Sequence, residues 1–213
     1  LVITVIMILP EFGVEIAALI AAIGVGGLAI AFAAQSLVKD FISGFFVILE
    51  DQYRIGDVIS IAGEAGTVED ITLRRTVMRD VDGNVHSIPN GNVDKSINMT
   101  RKFSRVNLNI SVGYGEDLKR VIAVMNRVCQ EMAEDPQWKA DFVTTPSVIR
   151  VDKLGDSGID IKIMGDTLPS KQWALMGELR LRLKNTFDAE GIEIPWPHTK
   201  VYFANHPTAL IEN

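Results

Sequence analysis

Cysteine is nearly absent from this sequence. The single Cys129 can close no intrachain disulfide and cannot supply a cysteine cluster for zinc. Histidine is almost as scarce: His86, His198 and His206 lie far apart and share no metal-ligand spacing. Basic residues are not in excess. The 213 residues carry 21 Lys+Arg against 27 Asp+Glu, a formal charge of −6, which excludes a strongly basic nucleic-acid binder. With 47% apolar residues the chain is not intrinsically disordered. The most informative gap is local. The first 50 residues hold four acids (Glu11, Glu15, Asp40, Glu50) and one base (Lys39), whereas the remaining 163 hold 20 bases and 23 acids. This is the composition of a membrane segment joined to a soluble segment of one or two domains.

Catalytic signatures are missing as well. There is no P-loop, no Rossmann fingerprint and no serine elbow. Gly24-Val25-Gly26-Gly27 is glycine-rich, but it lies inside an apolar run with no preceding soluble strand, so it does not read as a phosphate cradle. Asp51, Asp57 and Glu69 form no recognisable acid–base pair. Cys129 falls on an apolar helix face and reads as a small core residue. His86 falls in an expected strand and reads as structural. Asn98-Met99-Thr100 matches a glycosylation sequon in a stretch expected to be cytoplasmic, where it would not be used. The sequence therefore points to no enzyme, no cofactor and no metal.

What is present begins with Ile16 to Val38, 23 residues without a formal charge. At about 1.5 Å per residue such a helix covers the roughly 30 Å core of a bilayer. Leu1–Leu9 is also apolar and is ended by Pro10; it reads as the tail of a preceding membrane helix, with more spans expected upstream. No basic segment opens the sequence, which argues against a secretory signal. The Pro10–Glu15 connection has no Lys or Arg, whereas Lys39 and Arg54 follow the main span. The positive-inside tendency then places the C-terminal part in the cytoplasm.

From Ala17 to Ala34, 11 of 18 residues are Ala or Gly. Small residues let helix backbones approach closely. Ala21, Val25 and Ala29 form one row at i,i+4, and Gly24, Gly27 and Ala31 form a neighbouring row. Such surfaces suit identical helices packed around a ring axis. Leu28 and Phe32, four apart, would form two stacked apolar collars in such a ring. A narrow apolar collar stops ions by dewetting. Singly, each is also what an ordinary packing residue looks like. Beyond Gln35 and Ser36, the positions Leu37, Val38, Phe41, Ile42, Phe45 and Leu49 recur at helical spacing, opposite Lys39, Asp40, Ser43 and Gly44. That is an interfacial amphipathic pattern. A helix break is expected near Gln35–Ser36, with Gly44 as a second weak point.

The stretch from Gly24 to Ile71, GVGGLAIAFAAQSLVKDFISGFFVILEDQYRIGDVISIAGEAGTVEDI, together with MRDVDGNVHSIPNG at Met78–Gly91, resembles the MscS-like small-conductance mechanosensitive channels. The QSLVKDFISGFF wording resembles the larger bacterial members. The resemblance implies a homoheptamer in the inner membrane, in contact with membrane lipids, whose pore helix breaks and continues as a lateral amphipathic half. It places the two pore-closing positions on Leu28 and Phe32, the second of which is commonly Leu. It places the helix-packing positions on Ala21, Gly24, Val25, Gly27, Ala29 and Ala31. Val25 and Ala31 are larger than the Ala and Gly of the best-known members. The first hinge glycine falls on Ser36, a departure, and the second on Gly44. A family Asn becomes Asp40.

Short strands are expected at Val58–Ala62, Thr67–Leu73, Arg75–Arg79 and Asn84–Ile88, with an Asp82-Gly83 hairpin and a Pro89-Asn90-Gly91 close. The resemblance names this an Sm-like β domain. Arg74, Arg75, Arg79, Lys95, Arg101, Lys102 and Arg105 make it locally basic, but only Phe103 is interleaved, so no stacking platform for nucleic acid is expected. Further on, the pattern gives strands at Val106–Val112, Pro146–Leu154, Ile159–Met164 and Lys200–Ala204, with helices at Glu116–Ala133 and Lys171–Ala189. This βαββαβ order suggests a ferredoxin-like α+β sandwich.

The expected fold is thus a membrane α-helical pore segment followed by a cytoplasmic Sm-like β domain and a ferredoxin-like α+β domain. Its parts are 1–10 (end of a preceding helix), 11–36 (pore helix), 37–50 (interfacial helix), 51–104, 105–204, and a tail at 205–213. The expected function is a tension-opened channel releasing ions and small solutes under hypo-osmotic stress. The alternatives are a membrane-anchored module binding RNA or a solute without conduction, and a ligand-gated channel sensing a cytoplasmic solute.

Overall fold

A computed structural model describes residues 16–199 and 201. The expected segment 1–10, the tail at 205–213 and, apart from Val201, the expected strand Lys200–Ala204 lie outside the described residues. The chain divides into two compact units, with the boundary in sequence between Met99 and Thr100.

Among the described residues of the first unit, one helix comes first, α1 (Ala17–Leu49), 33 residues long. Alanine favours helix, and the glycines cost only about 1 kcal/mol each in water. In hydrocarbon the helix is imposed more strongly, because every backbone N–H and C=O must be satisfied within the segment. The expected break at Gln35–Ser36 and the weak point at Gly44 are not seen: α1 continues unbroken through all three residues. Neither Gln nor Ser carries the backbone freedom that glycine would bring to the first position.

After α1 come five strands, β1 (Val58–Ile61), β2 (Glu64–Ile71), β3 (Arg75–Arg79), β4 (Val85–Pro89) and β5 (Ser96–Asn98). They form one antiparallel sheet in the order β4-β3-β2-β1-β5. Strand β2 begins three residues before its expected start. Ala62 and Gly63, both with positive φ, make a two-residue hairpin turn pairing Ile61 with Glu64. A bulge between Val68 and Asp70 bends β2 against β3. Alternation along the strands sends Ile59, Ile61, Val68, Met78 and Ile88 inward, where they pack with Tyr53 and with Val47 of α1. Strand β5 and the 3-10 turn Asn90–Asn92 were not legible as elements in the sequence.

The second unit contains β6 (Ser104–Val112), α2 (Leu118–Glu134), β7 (Ser147–Leu154), β8 (Ile159–Thr167) and α3 (Gln172–Glu190). Its sheet is antiparallel in the order β6-β8-β7. Val106, Leu108, Ile161 and Ile163 pack against Val121, Met125 and Cys129 of α2 and Leu175, Leu179 and Phe187 of α3. Helix α2 starts where the Asp117 side chain accepts from the Lys119 backbone N–H at 2.9 Å. Helix α3 ends on Gly191 in the left-handed conformation, as expected. This is the α+β sandwich the alternating pattern called for, with three of its strands among the described residues.

Candidate pore helix and its docking seam

At about 100° per residue, Ala21, Val25, Leu28 and Phe32 fall within a stripe of about 60° on α1. Gly24, Gly27 and Ala31 flank it on one side and Ala29 on the other. The stripe is uncovered: Leu28 is 61% exposed, Val25 70% and Phe32 72%. The most apolar window of α1 has no buried residue. The glycines of this segment also have no partner in the described chain, for a Cβ built on Gly24, Gly26 or Gly27 meets nothing within 4 Å. Among the described residues their smallness serves no contact, which leaves this face free for another surface.

The second half of α1 is different. Asp40, Gly44 and Val47 are buried, at i, i+4 and i+7, and form a narrow seam against the β unit. Val38, Phe41, Ile42, Phe45 and Leu49 lie on the opposite side and are exposed. The seam meets the 3-10 turn that follows β4. The Gly91 backbone N–H donates to Asp40 Oδ1 at 2.9 Å. A Cβ on Gly91 would come within 2.5 Å of that oxygen. A Cβ on Gly44 would come within 1.9 Å of the Leu73 carbonyl oxygen and 2.3 Å of Asn90 Nδ2. Gly44 is therefore a point of contact between helix and sheet.

Asn90 organises this contact. Its side-chain amide donates to the carbonyls of Thr72 and Leu73 at 2.9 and 3.0 Å, and its Oδ1 accepts from Thr76 Oγ1 at 2.9 Å. Thr76 Oγ1 also lies 3.0 Å from the Tyr53 hydroxyl. Burial pushes the Tyr53 phenol above its ordinary range, against an opposing effect of the Thr76 hydrogen bond. A continuous polar chain thus runs from Tyr53, just past α1, through Thr76 and Asn90 back to the seam. At the rim, Lys39 and Asp94 form an exposed pair at 3.9 Å. Such a pair adds little to stability.

The structure brings Gly44, Asp40 and the Asn90–Gly91 turn together. It leaves Leu28, Phe32, Gln35 and Ser36 exposed on α1. The buried contacts of Asp40, Thr76 and Asn90 were missed by sequence reasoning. The available signal was that Asp40 is the only acid between Glu15 and Glu50. Among the described residues no group of three or more His, Cys, Asp or Glu side chains is placed to hold a metal ion. Several of the bases weighed for nucleic acid have neighbours: Arg75 donates to Ser87, Arg79 is paired with Glu69, and Arg105 with Asp166.

Three family descriptions match in sequence along the chain: "Mechanosensitive ion channel, transmembrane helices 2/3" over residues 1–35, "Mechanosensitive ion channel, beta-domain" over 36–101, and "Mechanosensitive ion channel MscS, C-terminal" over 106–194. A small-conductance mechanosensitive channel of Caldanaerobacter subterraneus subsp. tengcongensis is 37% identical over 94% of this chain and 70% of its own length. The chain belongs to the MscS family of mechanosensitive ion channels. The moderate conductance mechanosensitive channel YbiO of Escherichia coli is 32% identical over 91% of this chain and 26% of its own length. The crystal structure of Helicobacter pylori MscS in its closed state superposes with a TM-score of 0.75, at 27% identity, over 96% of this chain and 80% of that one.

Proposed function

We propose that copies of α1, seven by the family resemblance, ring a water path in the inner membrane, with Leu28 and Phe32 forming the closed constriction. One observation carries this reading: the uncharged part of α1 up to Val38, whose Gly24, Gly26 and Gly27 and collar residues have no partner within the described chain. An apolar surface of that extent is stable only against lipid and other helices. Gly24, Gly27 and Ala31 of one copy pack beside Ala21, Val25 and Ala29 of the next, which leaves Leu28 and Phe32 facing the axis. The exposed row Val38–Leu49 rests on lipid at the cytoplasmic interface.

Tension favours the arrangement with the larger in-plane area, and a two-state helix packing converts that preference into opening. The free part of α1 ends and the docked part begins between Gln35 and Asp40. A bend, where gating needs one, falls at Gln35–Ser36. Gly44 is held by the seam. The stripe carries no charge, so conduction is weakly selective and releases ions and small solutes during hypo-osmotic shock. The family description of transmembrane helices 2/3 over residues 1–35 supports a multi-pass protein, and no catalysis is assigned. Reconstituted protein in patched liposomes tests the reading. Suction-activated currents support it. Silent patches with an oligomer of normal size would sink it.

A further inference from the structure

Three residues before the Pro89–Asn90–Gly91 turn, β4 carries His86 between two carboxylates from other parts of the sheet. Its Nε2 lies 2.9 Å from Asp80 Oδ2, just past β3, and its Nδ1 lies 3.7 Å from Glu64 Oε2, at the start of β2. The ring and the Asp80 carboxylate are largely shielded, with 24% and 18% of their side chains exposed. Asp80 is rigidly placed, since its Oδ1 accepts from the backbone of Asp82 and Asn84 at 2.9 and 2.8 Å and its Oδ2 from Asn84 Nδ2 at 2.9 Å. Of the other charged groups nearby, Arg79 on β3 is engaged by Glu69 and by the Gly83 carbonyl, and Asp82 sits exposed in the hairpin loop.

This geometry gives the two ring nitrogens different work. The Nε2 proton belongs to the Asp80 hydrogen bond. A neutral ring then turns the Nδ1 lone pair toward the Glu64 carboxylate, which is unfavourable. A second proton puts an N–H there instead and makes an ion pair. We propose that His86 is a cytoplasmic pH sensor whose second proton ties the start of β2 to the β3–β4 hairpin and stiffens β4, the strand that presents Asn90 and Gly91 to α1.

The titration agrees in direction. The Asp80 hydrogen bond raises the imidazole above its ordinary value; burial opposes this, and the charges of Glu64 and Asp80 add to it. A raised folded value means the extra stability is fully present below the unfolded value of about 6.5 and fades as pH rises through the folded one. The clamp is therefore tight in mild acid and slack in mild alkali. Its effect on opening rests on the channel reading above; the titration itself does not.

The test uses the full-length channel with ring-labelled histidines, titrated by NMR, with H86N to assign the signal and E64Q to remove the second carboxylate. His86 is expected to titrate above its ordinary value of about 6.5, and E64Q to shift it down. In patches, the opening tension is expected to differ between cytoplasmic pH of about 6 and about 8, and both variants to flatten that difference. His86 titrating at or below its ordinary value, or a pH dependence unchanged in both variants, overturns the proposal. Patches silent at every tension with the titration intact would count against the channel and leave the clamp standing.

Discussion

Asp40 and Gly91 stand 51 residues apart in the chain and meet in a buried hydrogen bond, backbone N–H to carboxylate oxygen, at 2.9 Å. This bond joins the helix expected to cross the membrane to the sheet unit that follows it. Beside it, Gly44 lets the Leu73 carbonyl approach α1.

Asp40→Ala leaves the Gly91 N–H buried without an acceptor, a cost of about 1–3 kcal/mol. Asp40→Asn keeps an acceptor oxygen and is expected to cost less. Thermal unfolding of the detergent-solubilised protein should rank wild type, Asn, then Ala. Equal midpoints for the Ala and Asn variants would show that the hydrogen bond contributes nothing.

Gly44→Ala separates two roles. Were Gly44 only a flexible point, alanine would stiffen α1 and leave the seam intact. The structure puts the added methyl carbon 1.9 Å from a backbone carbonyl, which cannot move aside as a side-chain tip could. Amide hydrogen exchange at Asn90 and Gly91 should therefore accelerate in Gly44→Ala. Gly27→Ala should leave those amides unaffected, because its Cβ meets nothing within the described chain.

Phe32→Ser introduces a hydroxyl into the proposed collar and lowers the barrier to wetting. The expected result in liposome patches is a lower opening tension or a standing leak. Leu28→Ser should act in the same direction. Thresholds equal to wild type in both variants would remove these residues from the gate.

Cys129 is buried in the core of the second unit, and burial alone pushes its thiol up to about 12. The reactive species is the thiolate, so alkylation near neutral pH is expected to be negligible in the folded protein. Mass spectrometry after iodoacetamide should show no adduct until denaturant is added. Rapid native labelling would mean that the packing of α2 against the sheet opens frequently.

Much of the architecture was legible because it is local. Apolar residues at alternating positions produced β1, β3, β4 and β8, and the 3.6-residue period produced α2 and α3. A hairpin at Asp82-Gly83 joins β3 to β4, but its turn is longer than the two residues expected: Arg79 pairs with Val85, and the Asp80 N–H donates to the Asn84 carbonyl, which leaves Val81, Asp82 and Gly83 in the loop. Strand β5 was not legible, since its three residues (Ser96, Ile97, Asn98) are held by pairing with β1 and not by their own pattern. The early start of β2 was also hidden, because Ala62 is an unusual residue to take a positive φ in a two-residue turn.

The sequence by itself determined that one helix here is uncharged, small-surfaced and long enough to cross a bilayer. It did so because composition and period are properties of neighbouring residues, and water or lipid acts on them segment by segment. Only the tertiary structure decided what Gly44, Asp40 and Asn90 do. Their partners are brought from 14 to 51 residues away by the closing of a sheet, and no periodicity along the chain encodes which carbonyl or amide will arrive there. A glycine that bends and a glycine that lets another backbone come close look the same in one dimension; the atom that would occupy its missing side chain tells them apart.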